Sequence, residues 1–125
     1  VLSIKKIIIL TFLTGFLSSC LFDSGTKWED PPYSVSWIHS PANLELVYEL
    51  GEGSSIGRVD SIIKKVGSDA NYVVAQRNSE YYYIEKKKDH QYLNGADIAK
   101  GPFSAEEFLK IKEDLKLPEF TKSFE

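Results

Sequence analysis

The stretch NYVVAQRNSEYYYIE, residues 71–85, decides the fold. Tyr72-Val73-Val74-Ala75 is apolar at consecutive positions, so both faces of that segment are suited to burial. A strand of this kind belongs in the middle of a sheet and not at its edge. Glu80 to Lys86 carries Tyr81, Tyr82, Tyr83 and Ile84 and reads as a second strand. Only the polar turn Arg77-Asn78-Ser79 separates the two, which makes them an antiparallel hairpin. Side chains alternate across a strand. Tyr81 and Tyr83 therefore point one way and Tyr82 the other.

The segment GPFSAEEFLKIKEDLKLP, residues 101–118, supplies the second layer. Ser104-x-x-Glu107 is a capping box, in which each side chain satisfies a free amide of the other residue. Phe103 before the cap and Phe108 in the first full turn form a hydrophobic staple. Phe108, Ile111 and Leu115 then share a face at helical spacing. Glu106 and Glu107 suit the positive end of the helix dipole and Lys116 the negative end. Pro118 stops a helix running from Ser104 to about Leu117. Its apolar stripe needs a partner, and the sheet is the candidate, through Tyr72 or Val74 and their neighbours.

Upstream, Val35 and Trp37 alternate with Ser34 and Ser36, and Leu44, Leu46, Tyr48 and Leu50 alternate with Glu45, Val47 and Glu49. Gly51 to Ser55 is a turn by composition. Ile56 to Val66 fits either element: Ile56, Val59, Ile63 and Val66 recur at a helical period, Val59, Ser61 and Ile63 at a strand period, and the β-branched content favours a strand. Lys86 to Asp97 reads as a long loop. The expectation is an α+β fold: an antiparallel sheet of four to five strands with one C-terminal helix packed on one face. This single domain would span residues 33–118, followed by a tail at 119–125. No internal repeat is visible.

The start of the chain is an address. Lys5-Lys6 precede an apolar run from Ile7 to Leu17, and Leu17-Ser18-Ser19-Cys20 follows at once. That order describes a secretory signal peptide, and its end resembles the lipobox of bacterial lipoproteins. The resemblance implies cleavage of residues 1–19 and acylation of Cys20, whose thiolate is the nucleophile that takes the lipid. A spanning helix needs about 20 apolar residues, more than this stretch offers. Val1 in a chain without Met suggests a non-ATG start codon read literally. Residues 20–32, with Gly25, Pro31 and Pro32, read as the lipidated cysteine and a flexible tether. Trp28 within it would either fold back on the domain or sit at the membrane interface.

The whole chain has 15 basic and 18 acidic residues, a net charge of −3. Without residues 1–19 the remaining 106 carry 13 and 18, a net −5. Nothing here favours nucleic acid, whose phosphates reward a basic excess. The single Cys20 allows no internal disulfide. His39 and His90 lie far apart in sequence, with no cysteine left to join them, so no metal is expected. Asp89-His90 reads as loop, and no G-x-S-x-G nucleophile pattern occurs. Gly51-x-Gly53 lacks the rest of a phosphate loop, so no cofactor is expected either.

In order, the lipobox, the acidic spacer, Tyr72-Val73-Val74-Ala75-Gln76, Tyr81-Tyr82-Tyr83-Ile84 and Gly101-Pro102-Phe103-Ser104-x-Glu106-Glu107-Phe108 resemble a family of small uncharacterised bacterial lipoproteins. The likeness covers most of Val59 to Pro118 and implies location more than activity. The Gly-Pro-Phe-Ser-x-Glu-Glu segment is also similar to the strand–turn–helix of GYF-type domains, which bind proline-rich peptides. That likeness spans about ten residues and lacks the Gly-Tyr-Phe signature; it implies a binding surface at Tyr81, Tyr83 and Phe103.

These readings converge on a non-enzymatic envelope lipoprotein, held on the bilayer through acylated Cys20, that binds a protein or peptide. Three alternatives stand beside it: a GYF-like reader of proline-rich peptides, an immunity-type lipoprotein whose negative charge steers it onto a basic toxin, and a hydrolase using His39 or His90. Leu21 is not the Asp that retains lipoproteins at an inner membrane. The outer membrane is expected in a two-membrane cell, and the outer face of the plasma membrane otherwise. Cys20→Ser should abolish the lipid mass and the processed N-terminus, as mass spectrometry of the membrane fraction would show; unchanged processing and retention would refute the lipobox.

Overall fold

A computed structural model describes residues 24–124. The expected signal peptide and Cys20 lie outside the described residues. Among the described residues nine strands form two antiparallel sheets, and the order of elements begins with sheet A: β1 (Ser24–Asp30), β2 (Tyr33–Ile38), β3 (Glu45–Gly51) and β4 (Ser54–Val59), paired in that order. Sheet B contains β5 (Ile63–Ser68), β6 (Tyr72–Arg77), β7 (Glu80–Glu85), β8 (Lys100–Phe103) and β9 (Lys122–Ser123), in the spatial order β8-β7-β6-β5-β9. A short helix, α1 (Gly95–Ile98), precedes β8, and the main helix, α2 (Ala105–Leu115), follows it.

The fold is α+β, and its middle layer is the hairpin that the sequence singles out. On one face of sheet B, Val66, Val73, Ala75 and Ile84 share a core with Tyr33, Val35, Leu46 and Val59 of sheet A. On the other, Val74 packs with Phe108 and Leu117. β6 thus faces apolar partners on both sides, which is why its apolar residues run consecutively. Tyr82 packs toward sheet A, while Tyr81 and Tyr83 lie under the helix layer.

The strands expected in one sheet are divided between two: those at residues 33–38 and 45–51 lie in sheet A, and the 71–85 hairpin lies in sheet B, which packs face to face with sheet A. Ile56 to Val66 is not one strand but two, β4 and β5, in different sheets, with Asp60 to Ile62 making the crossing. The tether expected over residues 20–32 is largely structured. Ser24–Asp30 is the edge strand of sheet A, in register with β2 from Ser24↔Ile38 to Asp30↔Tyr33. Trp28 packs on the sheet A–sheet B core. The expected tail at 119–125 also belongs to the fold. β9 pairs with β5, Phe120 joins the helix-side cluster and Phe124 the core between the sheets. Gly67 makes this approach possible, because a Cβ there would collide with the Glu119 carbonyl.

Helix α2 has the capping box, with Glu107 N–H donating to Ser104 Oγ at 3.1 Å and Ser104 N–H to Glu107 Oε1 at 3.0 Å. These bonds hold the Glu107 carboxyl below the usual carboxylate range. The stripe differs at its end. Phe108 is buried and Ile111 half-buried, but Leu115 is exposed. Lys116 turns left-handed (φ 56°) and swings Leu117 into the core in its place. A left-handed residue after the last turn is a common helix stop. Chemical denaturation should show Phe108→Ala costing about 3 kcal/mol or more through cavity formation and Ser104→Ala about 1 kcal/mol through the lost cap. Leu117→Ala should cost clearly more than Leu115→Ala; the reverse order would contradict this packing.

Candidate protein-binding loop

Within β4, Val59 faces Leu46 and Gly57 faces Val47, so Arg58 is an extra residue, a β-bulge. Bulges re-aim side chains, and this one turns Arg58 inward, where it is buried. Its Nε donates to Asp89 Oδ2 at 2.8 Å and its Nη2 to Asp89 Oδ1 at 2.8 Å, a bidentate pair. Nη2 also donates to the His90 carbonyl (3.0 Å), and Nη1 to the carbonyls of Leu93 (3.1 Å) and Gly57 (3.0 Å). A guanidinium has five N–H donors, and these five bonds match them. The face of the group lies 5.0 Å from the centre of the Tyr48 ring.

Asp89 is equally well served. Tyr33 Oη donates to its Oδ2 at 2.8 Å, and the Tyr33 ring meets Tyr48 edge-on. Burial first, then the hydrogen bond to Asp89 and the charge of that carboxylate, push the Tyr33 hydroxyl far above the ordinary tyrosine range, so it stays a neutral donor. Both side chains of the Arg58–Asp89 pair are 0% exposed. A buried ion pair is tolerated when its remaining donors and acceptors are met, as they are here.

This cluster fastens a loop. Residues 90–94 connect the 3-10 turn Lys86–Lys88 to α1. Arg58 grips the loop by its carbonyls at His90 and Leu93, and Leu93 packs on the core. The loop closes on itself through Leu93 N–H to the His90 carbonyl (3.2 Å) and Tyr92 N–H to His90 Nδ1 (3.2 Å). At its exit Gly95 lies so close to β4 that a Cβ would come within 2.9 Å of the Gly57 and Arg58 carbonyl oxygens. At its entry Lys86 pairs with Asp30 at 2.6 Å. That pair, with a bond from Ser68, lowers the Asp30 carboxyl below its ordinary value. Between these fixings Tyr92 stands out with 82% of its surface exposed.

Beside the loop, a cleft of about 430 Å³ is lined by Asp60, Arg77, Tyr82, Gly95 and Gly101, among others. Arg77 is held in it by Glu80 (2.6 Å) and the Ser61 carbonyl (2.8 Å). Gly95, at the exit of the loop, forms part of its wall.

The structure brings Tyr81, Tyr83 and Phe103 together on the helix side of sheet B. Tyr81 stacks on Phe108 with centroids 5.1 Å apart, and Tyr83 stacks on Phe103 at 6.0 Å. All three are half-buried and use part of their surface for packing. His39 ends β2 with left-handed backbone (φ 72°) and borders a hollow on the outer face of sheet A. His90 serves as the acceptor described above. Gly51-x-Gly53 is the β3–β4 turn, with both glycines at positive φ. Among the described residues no group of three or more His, Cys, Asp or Glu could hold a metal ion, and no helix is long and apolar enough to cross a membrane.

Sequence reasoning passed over Arg58, Asp89 and Tyr92. The available signal was a tyrosine isolated in a polar loop that no period claimed. The other was an arginine inside a β-branched segment whose partner is distant in sequence.

No family model, curated protein or solved structure matches the chain. Removing one member of a buried ion pair typically costs about 3–5 kcal/mol, because the other charge is left unpaired. Arg58→Ala should therefore destabilise the domain by about that much in urea denaturation, whereas Tyr92→Ala should change stability by less than about 0.5 kcal/mol, as for other surface positions.

Proposed function

We propose that this chain is a lipid-anchored envelope protein whose folded domain binds another protein through the Tyr92 loop. One observation carries the reading: a large aromatic side chain, 82% exposed, on a loop whose carbonyls are held by a buried arginine. Binding energy concentrates in a few residues, tyrosine prominent among them. A loop already fixed in the unbound state avoids the ordering cost that flexible loops incur on association. The lipobox-like Leu17-Ser18-Ser19-Cys20 supports the anchor and the export. With Leu21 in place of Asp after Cys20, the proposed location is the outer membrane of a two-membrane cell, or the outer face of the plasma membrane of a one-membrane cell.

A second reading is favoured by the stacked pair Tyr83–Phe103, which Tyr72 meets edge-on at 6.1 Å from Tyr83. Half-exposed rings on a rigid sheet are the kind of surface on which proline-rich peptides dock. The GYF-like resemblance points to these same residues.

One experiment separates the two. A photoreactive amino acid placed at position 92 of the lipidated protein in its own cells should give a discrete protein adduct on illumination, and the same group at position 83 should not. Adducts from 83 alone would favour the peptide reader. Absence of a discrete adduct from both positions would contradict protein binding at either surface.

A further inference from the structure

We infer that the end of sheet A carrying Ile38 is the face that rests on the lipid bilayer; this rests on acylation of Cys20. Strand β1 begins at Ser24, so only Leu21, Phe22 and Asp23 separate the fold from the lipidated residue. Fully extended, four residue steps span at most about 14 Å. The register fixes what lies there: Ser24 pairs with Ile38, and Gly25 with Trp37. The domain is therefore held to the membrane by this end and is not free to swing on a long spacer.

The chemistry of that end fits a lipid surface. Ile38 is 62% exposed, an apolar side chain with no packing duty to explain it. Trp37, on the opposite face of β2, packs in part on the core between the sheets and leaves the rest of its ring exposed at this end, and indole rings favour the headgroup region. The connection onward, Ile38-His39-Ser40-Pro41-Ala42-Asn43, contains no carboxylate, although the chain from Cys20 onward carries a net −5. This connection is uncharged, while the exposed Glu45 and Glu49 border the same hollows as Ile38; the connection, and not the sheet face beside it, is the part of this acidic domain that anionic lipid repels least.

The same geometry sets the opposite end free. The Tyr92 loop is tied to Tyr33 and to β4. Tyr33 faces Asp30 at the far end of β1, and β4 is the other edge of the sheet. Three strand spacings, roughly 14 Å, separate the two edges, and along the strands Arg58 is level with Ser34 and Val35, three to four residues or roughly 10–13 Å from Ile38.

The test uses the lipidated protein in vesicles of phosphatidylcholine and phosphatidylglycerol containing nitroxide-labelled lipid. Ala42→Cys and Gln91→Cys each supply one free thiol for a fluorophore, because acylation consumes Cys20. Quenching should be strong at position 42 and near zero at 91, and Ile38→Glu should at least halve it at 42 while the lipid mass is unchanged. Equal quenching at both positions, or stronger quenching at 91, would overturn this surface while leaving the anchor intact. An unmodified Cys20 by mass spectrometry would overturn the anchor itself and this inference with it.

Discussion

Arg58 is the point on which the structure turns. A guanidinium buried in a domain of this size is costly unless every N–H finds an acceptor. Here Asp89 takes two donors, and the carbonyls of Gly57, His90 and Leu93 take the other three. Three separate pieces of chain, the β4 bulge, the start of β2 through Tyr33, and the loop before α1, are pinned together by the Arg58–Asp89 pair. The loop owes its shape to a charge far away in sequence. Without it, residues 90–94 would depend on two internal hydrogen bonds and the packing of Leu93.

Around that point the layers follow from β6. Its consecutive apolar residues require cover on both faces, and sheet A and helix α2 provide it. The C-terminal segment completes the enclosure by passing over β5 at Gly67, with Phe120 entering one core and Phe124 the other. The first and last strands of the described residues are thus edge strands of opposite sheets: β1 of sheet A, β9 of sheet B.

What the sequence made legible was local. The β6–β7 hairpin and the capped helix announce themselves through patterns a few residues long, and both are present as read. β1 was hidden because SGTKWED has neither alternation nor β-branched content beyond Thr26; its strand state comes from pairing with β2. The division of Ile56 to Val66 between sheets was hidden because both halves are β-branched and the crossing at Asp60 to Ile62 contains no Gly or Pro. Leu117 replaced Leu115 because the helix ends at Leu115, two residues before the expected end, and the left-handed turn at Lys116 redirects the chain. Tyr81, Tyr83 and Phe103 were found as a group, since alternation and the hydrophobic staple place them together. Tyr92 was missed because its significance lies in exposure on a clamped loop, and nothing within its own neighbourhood encodes the clamp.

The account has one claim at its centre: the buried Arg58–Asp89 pair makes the Tyr92 loop a rigid platform. Backbone ¹⁵N relaxation of the soluble domain from Leu21 onward addresses it directly. Amides of residues 90–94 should have order parameters near about 0.85, the level of rigid backbone, equal to those of β6. Values below about 0.6, the level of a flexible segment, with β6 remaining rigid, would show that the clamp does not hold the loop.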